Sequence, residues 1–155
     1  MQDFEIKCQK MQKIITKIAQ GQNLINVAYD ATSEDDILTL QILKESGFNF
    51  LGNNYIFTAV NCYAKKCLEF LLKEGAEIKL GGKAQVDGKI IYFEPIELAC
   101  ITNNIDALKI FIENGVKLQT FGGIDVLRRY KKEIGAENTK MLKSLIANKE
   151  NIIEK

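Results

Sequence analysis

Apolar residues along the chain recur at helical spacing, and a glycine follows the best of these runs. Leu68, Leu71 and Leu72 are spaced i, i+3 and i+4, which places them on one face of a helix. Gly75 follows them, where a helix ends in a left-handed backbone that glycine adopts at low cost. In a second stretch, Asn103 precedes a similar helix, and we expect it to cap that helix. Each stretch predicts a pair of helices.

The same order of residues returns 40 positions along the chain. Residues 59–78 match residues 99–118, small with small, apolar with apolar and glycine with glycine. A looser copy ends at Gly47, and a weaker copy without a closing glycine contains the apolar positions of 142–146. Self-similarity of this kind is typical of repeat proteins, in which neighbouring units cover one another. We therefore predict a repeat protein with well-formed central copies and degenerate outer ones.

The connection between Gly75 and Pro95 is longer than its counterparts. Asp87-Gly88 lies between two apolar stretches, which is a strong signal for a β-hairpin. We predict an elongated β-hairpin here and short connections at Gly47 and Gly115. The apolar residues 90–93 are more than a turn requires. They either pack on the neighbouring repeat or form a contact strip for a partner.

The N-terminal stretch has the pattern of an amphipathic helix. Its apolar positions are spaced i, i+4, i+7, i+11 and i+14, and they are Phe4, Cys8, Met11, Ile15 and Ile18. Lysines occupy another face. We expect this helix to cap the stack, with its apolar face covering the first repeat. The alternative is a basic helix that binds a partner.

Charged residues cluster in two further places. Residues 30–46 hold five acids, and residues 128–132 form a basic stretch. Such runs are usually solvated helix surface, which is how we interpret both. The alternative for the basic stretch is a patch for phosphate or acidic partners.

The segment 94–99 reads Glu-Pro-Ile-Glu-Leu-Ala and resembles the Thr-Pro-Leu-His-x-Ala start of an ankyrin repeat. Residues 71–78 resemble the closing segment of the same repeat, and the resemblance extends over residues 23–148. Glu97 stands where the family has its histidine. The resemblance implies a mainly α fold, an ankyrin-like helix-turn-helix solenoid with one extended β-hairpin. The rival architecture is an unrelated helical bundle.

This reading makes the chain a single domain, 1–155. It divides into an N-terminal capping helix at 1–22, repeats at 23–54, 55–94 and 95–122, and a C-terminal capping repeat at 123–155.

Composition narrows the chemistry. The chain has no histidine, which removes the commonest general base and the commonest nitrogen ligand of metals. Basic and acidic residues number 21 and 20, so a broad basic field for nucleic acid is missing. The N-terminus is polar, and no apolar run is long enough to span a membrane. We expect no metal, no cofactor, no membrane contact, free thiols, and a cytoplasmic protein, or one delivered into a host cell.

We therefore expect a protein–protein interaction module rather than an enzyme, acting as a stand-alone adaptor or inhibitor and as a monomer. In ankyrin-like proteins, partners meet the hairpin tips and the exposed ends of the first helices. At matching positions this implies a partner-binding set of Asn61, Cys62, Lys83, Gln85, Asp87, Lys89, Tyr92, Ile101 and Thr102. The alternatives are an enzyme using a cysteine or carboxylate on the concave face, and a nucleic-acid binder using the C-terminal basic stretch.

Overall fold

The computed structural model describes the backbone of residues 2–154 and the side chains of residues 2–150; Met1 and Lys155, the ends of the predicted domain, lie outside the described residues. The chain is mainly helical with one two-stranded antiparallel sheet. The helices are α1 (Gln2–Ala19), α2 (Leu24–Ser33), α3 (Ile37–Glu45), α4 (Tyr55–Asn61), α5 (Lys65–Lys73), α6 (Pro95–Ile101), α7 (Ile105–Glu113), α8 (Val126–Arg129), α9 (Lys131–Ile134) and α10 (Ala136–Glu154), and the strands are β1 (Gly82–Val86) and β2 (Lys89–Phe93).

The helices contact one another in two rows. In one row α2 packs on α4 and α4 on α6, which also contacts α8 and α9. In the other row α3, α5, α7 and α10 follow one another. The core lies between the rows, and its fully buried side chains include Leu40, Ile56, Leu68, Leu98 and Leu108. Alternate helices therefore cover each other, as the repeated apolar pattern requires.

One turn geometry joins the two helices of each pair. Asp35, Tyr63 and Asn103 occupy the same place in the three turns and have φ of 56°, 55° and 55°. In each turn the next N–H donates 2.8 Å to a carbonyl oxygen five residues back; the pairs are Asp36 to Ala31, Ala64 to Ala59, and Asn104 to Ala99. The expectation that Asn103 caps α7 was wrong. The cap is Asn104, whose Oδ1 accepts from the Ala107 N–H at 3.2 Å.

The glycines predicted to end helices do so. Gly47, Gly75 and Gly115 have φ between 77° and 88°, in the left-handed region. In each case the following N–H donates to a carbonyl oxygen five residues back, at 2.9 to 3.0 Å. This arrangement satisfies backbone oxygens that a helix end would leave unpaired.

The predicted β-hairpin is confirmed. β1 pairs with β2 in the register Gly82 to Phe93 and Val86 to Lys89. Asp87 and Gly88 have φ of 51° and 77°, so both central residues of the two-residue turn are left-handed, as a type I′ turn requires. Of the apolar residues 90–93, Phe93 is buried, whereas Ile90 and Tyr92 are 72% and 58% exposed. Phe93 therefore packs against the protein, whereas Ile90 and Tyr92 are available for contact with a partner.

The base of this hairpin is attached to the helices. The Asn54 side-chain amide donates to the Gly81 carbonyl at 2.9 Å, and Tyr29 Oη donates to Asn54 Oδ1 at 2.6 Å. Gly82 lies so close to Phe57 that an added Cβ would come within 2.7 Å of its ring. These hydrogen bonds and the close packing of Gly82 on Phe57 fix the base, and the outer part of the hairpin extends beyond them.

The expected packing of α1 was wrong. The apolar positions Phe4, Met11, Ile15 and Ile18 are 44 to 70% exposed. The side of α1 that contacts α2 and α3 carries three of its four lysines and Ile14, the one buried residue of this helix. Lysines of α1 pair there with acids of residues 30–46, which are therefore not simply solvated surface. Acidic groups on α2 and α3 favour the lysine side of α1 over its apolar side.

Candidate functional site

The predicted partner-binding residues fall into two groups. Lys83, Gln85, Asp87, Lys89 and Tyr92 are exposed on the hairpin. Asn61, Cys62, Ile101 and Thr102 lie at the C-terminal ends of α4 and α6. α6 starts directly after β2, and its seven residues, about 10 Å of helix, lie between the hairpin and the group at the helix ends. The predicted set therefore forms two patches rather than one.

The patch at the helix ends is joined by a residue that the sequence did not indicate. Tyr63 Oη donates to the Thr102 carbonyl oxygen at 3.1 Å, which links the turn after α4 to the turn after α6. Its side chain is 54% exposed beside Cys62. Its left-handed backbone is unfavourable for a bulky side chain, whereas Asp35 and Asn103 suit the equivalent positions. Alignment of the three turns in the sequence would have identified this tyrosine.

On the hairpin, antiparallel pairing sorts the predicted residues by face. Lys83 pairs with Tyr92 and Gln85 with Ile90, so these four side chains project from the same face. The Tyr92 side chain reaches the residue before β1, where its Oη accepts from the Gly81 N–H at 3.1 Å. Lys89 belongs to the opposite face. The outward face therefore holds three predicted residues together with Ile90.

A second projecting loop, residues 116–125, lies between α7 and α8, where the sequence predicts a short connection after Gly115. It is closed by a bridge between Gln119 and Asp125 and by the Thr120 N–H, which donates to the Ile124 carbonyl at 2.9 Å. Phe121 at its tip is 73% exposed. The signal for this loop is Gly122-Gly123 between two apolar residues, a turn sequence.

The loop at residues 116–125 contacts the two segments that flank the hairpin. Lys79 Nζ lies 4.3 Å from the centre of the Phe121 ring, a cation–π arrangement. The Phe121 N–H donates to Glu94 Oε1 at 2.9 Å. A groove of about 350 Å³ lies between them, with Ile78, Ile96 and Val116 among its lining residues. Residues 116–121 and the segments that flank the hairpin thus line an open, largely apolar groove with a charged rim.

Glu97 links α6 to the segment that leads into the C-terminal helices. Its Oε2 accepts from Tyr130 Oη at 2.5 Å, and its Oε1 accepts from the Glu94 N–H at 3.2 Å. Burial and the hydrogen bond to Glu97 raise the pKa of the Tyr130 hydroxyl. The tyrosine is therefore a neutral hydrogen-bond donor at physiological pH, and the Glu97 carboxylate has a structural role as its acceptor.

The cysteines differ in accessibility. Cys67 and Cys100 are buried, and Cys8 and Cys62 are exposed. Burial raises the pKa of Cys100 to about 12, followed in size by repulsion from Glu97. Burial likewise raises the pKa of Cys67. A protonated buried thiol is a poor nucleophile. Cys62, the cysteine of the predicted set, therefore has an accessible thiol, whereas those of Cys67 and Cys100 are buried.

Three further features bear on chemistry. Among residues 2–150, no three side chains of the metal-binding types come close enough to hold an ion together. No described helix combines the length and apolar character needed to cross a bilayer. The basic side chains of 128–132 are exposed on α8 and α9.

No family model matches the sequence, and neither the curated proteins nor the solved structures include a significant match to it.

Proposed function

We propose that this chain is an ankyrin-like solenoid that binds another protein through its two projecting loops, as an adaptor or an inhibitor. The stacking of alternate helices, the turn shared by three helix pairs and the glycine at each pair's end support the fold. The resemblance of residues 71–78 and 94–99 to the ankyrin repeat supports the same reading.

The observation that carries the binding proposal is the exposure of large apolar side chains on both loops. Ile90 and Tyr92 project from the hairpin, and Phe121 and Ile124 from residues 116–125; they are 47 to 73% exposed. Two large apolar side chains exposed side by side within one loop are more typical of a binding surface than of a solvated turn, and each loop has such a pair. We call these four residues the loop-tip surface.

The charges around the loop-tip surface describe its partner. Lys79 and Lys83 are exposed beside the apolar side chains. Aromatic and aliphatic anchors with a polar rim are the usual composition of a protein-binding patch. The surface fits a protein partner that presents apolar side chains to the groove and acidic groups to the lysines.

The test is capture of partners by the intact chain from its own cell, with quantitative mass spectrometry of the proteins retained. The double variant Ile90→Ser/Phe121→Ser removes one exposed apolar side chain from each loop and leaves the contacts at the hairpin base intact. Ile6→Ser removes an apolar side chain of α1 that is 41% exposed and serves as the matched control.

We expect the double variant to lose specific partners that the wild type and the control both retain, while circular dichroism stays unchanged. Equal retention by all three proteins would contradict binding through the loop-tip surface. If Cys62→Ser loses these partners instead, the binding or reactive role belongs to the patch at the ends of α4 and α6.

A further inference from the structure

An apolar stripe runs along the outer side of α1. It consists of Phe4, Cys8, Met11, Ile15 and Ile18, and all five side chains are exposed. Their spacing alternates between four and three residues. This is the spacing found along the seam of a coiled coil, in which two helices interlock along one line of side chains. We call these residues the α1 stripe.

The orientation of α1 is set by its contacts with the rest of the chain. Lys7 Nζ lies 2.8 Å from Glu45 Oε2, and Lys10 Nζ lies 2.9 Å from Asp36 Oδ2. Ile14 is buried between these helices. Rotating α1 to cover its stripe would break both ion pairs and expose Ile14. The stripe is therefore held facing outward.

We propose that the α1 stripe binds the α1 stripe of a second copy of this chain, forming a two-fold symmetric dimer. A two-fold contact needs a surface that complements itself, and a heptad seam without charged residues meets that requirement. This dimer differs from the monomer that we expect from the sequence, and the proposal is independent of the loop-tip surface.

Charge favours a second copy over a lipid surface. Amphipathic helices that bind membranes use lysines to reach anionic headgroups. Here three of the four lysines of α1 pair with acids of the same chain: Lys7, Lys10 and Lys17 with Glu45, Asp36 and Asp30. Because their charge is neutralised within each chain, they also repel a second copy less.

The area of the stripe is sufficient for a dimer. Phe4 is 70% exposed and Ile15 57%. Pairing two stripes would cover on the order of 1,000 Å² in total, which is where specific interfaces begin. This size predicts a concentration-dependent dimer rather than a permanent one.

The experiment measures molar mass by sedimentation equilibrium, from low micromolar to submillimolar protein, with reductant to exclude disulfides. Ile15→Glu places a charge in the stripe. Thr16→Glu adds the same charge at the next exposed position of α1, outside the stripe. We expect dimers for the wild type and for Thr16→Glu. For Ile15→Glu we expect a dimer dissociation constant about 100-fold higher.

Monomeric wild type at every concentration would overturn the proposal. Equal dimerisation of both variants would also overturn it, by assigning the dimer to another surface. Co-sedimentation of the wild type with phosphatidylcholine–phosphatidylserine vesicles, lost in Ile15→Glu, would assign the stripe to lipid. We expect no binding to these vesicles. Unchanged helical circular dichroism in both variants confirms that each comparison is between folded proteins.

Discussion

The helices α1 and α5 carry similar apolar patterns but differ in what covers them. In α5, Cys67, Leu68 and Leu71 are buried against neighbouring helices. In α1, the apolar positions face outward, and Ile14 together with three ion pairs holds the helix in place. The difference teaches that an amphipathic pattern identifies residues that share a face, whereas the neighbouring surface decides which face is covered.

The largest effect is expected when one apolar side chain in each helix is shortened to alanine. Leu71 is fully buried, so Leu71→Ala should lower the free energy of unfolding by about 2–5 kcal/mol. Ile15→Ala should change it by less than about 0.5 kcal/mol in dilute protein. Urea unfolding followed by circular dichroism measures both. Comparable losses would mean that the α1 stripe is buried within the monomer.

A second test removes the acid that holds α1. Asp36 accepts from the Thr39 N–H at the start of α3 and pairs with Lys10. Asp36→Ala should cost about 1–3 kcal/mol, because both a helix cap and a partly buried ion pair are lost. Hydrogen exchange should then speed up throughout α1 but not in α5. Uniform acceleration in both helices would indicate that α1 is integral to the core.

The same residue predicts a pH dependence. Burial raises the pKa of Asp36, but hydrogen bonds from Thr39 and Lys10 outweigh it and hold the pKa below its ordinary value of 3.8. A carboxyl whose pKa is lower in the folded state stabilises the fold above the unfolded pKa, and that stability is lost as pH falls through the folded pKa.

Stability should therefore fall below about pH 4, and the fall should be shallower in Asp36→Asn. Thermal unfolding between neutral and acid pH, with Asp106→Asn as the control at an exposed ion pair, measures the difference. Identical pH profiles for wild type and Asp36→Asn would contradict the assignment.

A third test concerns a difference between the central helix pairs themselves. Tyr63 occupies the left-handed position held by Asn103 in the next pair. Tyr63→Phe removes the hydrogen bond to Thr102 but keeps the backbone strain, whereas Tyr63→Asn removes both. Tyr63→Asn should be about 1 kcal/mol more stable than Tyr63→Phe, as measured by denaturant unfolding. The opposite order would mean that aromatic packing outweighs strain at this turn.

The smallest effect is expected at the outermost ion pair of α1. The Lys7 and Glu45 side chains are 39% and 61% exposed, so water screens their attraction. Lys7→Ala should shift the free energy of unfolding by less than about 0.5 kcal/mol. A shift of several times that size in calorimetry would show that single ion pairs, rather than their combination with Ile14, hold α1.

Much of the local structure was predictable because it depends on neighbouring residues. Asp87-Gly88 specified the hairpin turn, and Gly75 and Gly115 the ends of helices, because those positions need a left-handed backbone. The short loop expected after Gly115 was wrong, since Gly122-Gly123 went unrecognised as a turn. For the candidate site, the exposure of Tyr92 was predictable, but its grouping with Ile90 required the strand register.

By itself, then, the sequence determined helix spacing, the glycine-ended turns and the β-hairpin, because each depends on backbone preferences within a few residues. Only the tertiary structure decided which side of α1 is covered, which segments the loop at residues 116–125 contacts and where Tyr63 lies. Those outcomes depend on distant groups, such as Asp36 meeting Lys10 or Glu94 meeting Phe121. Contacts of this kind decide which side chains are buried, and they cannot be predicted from the pattern of residues within one helix or turn.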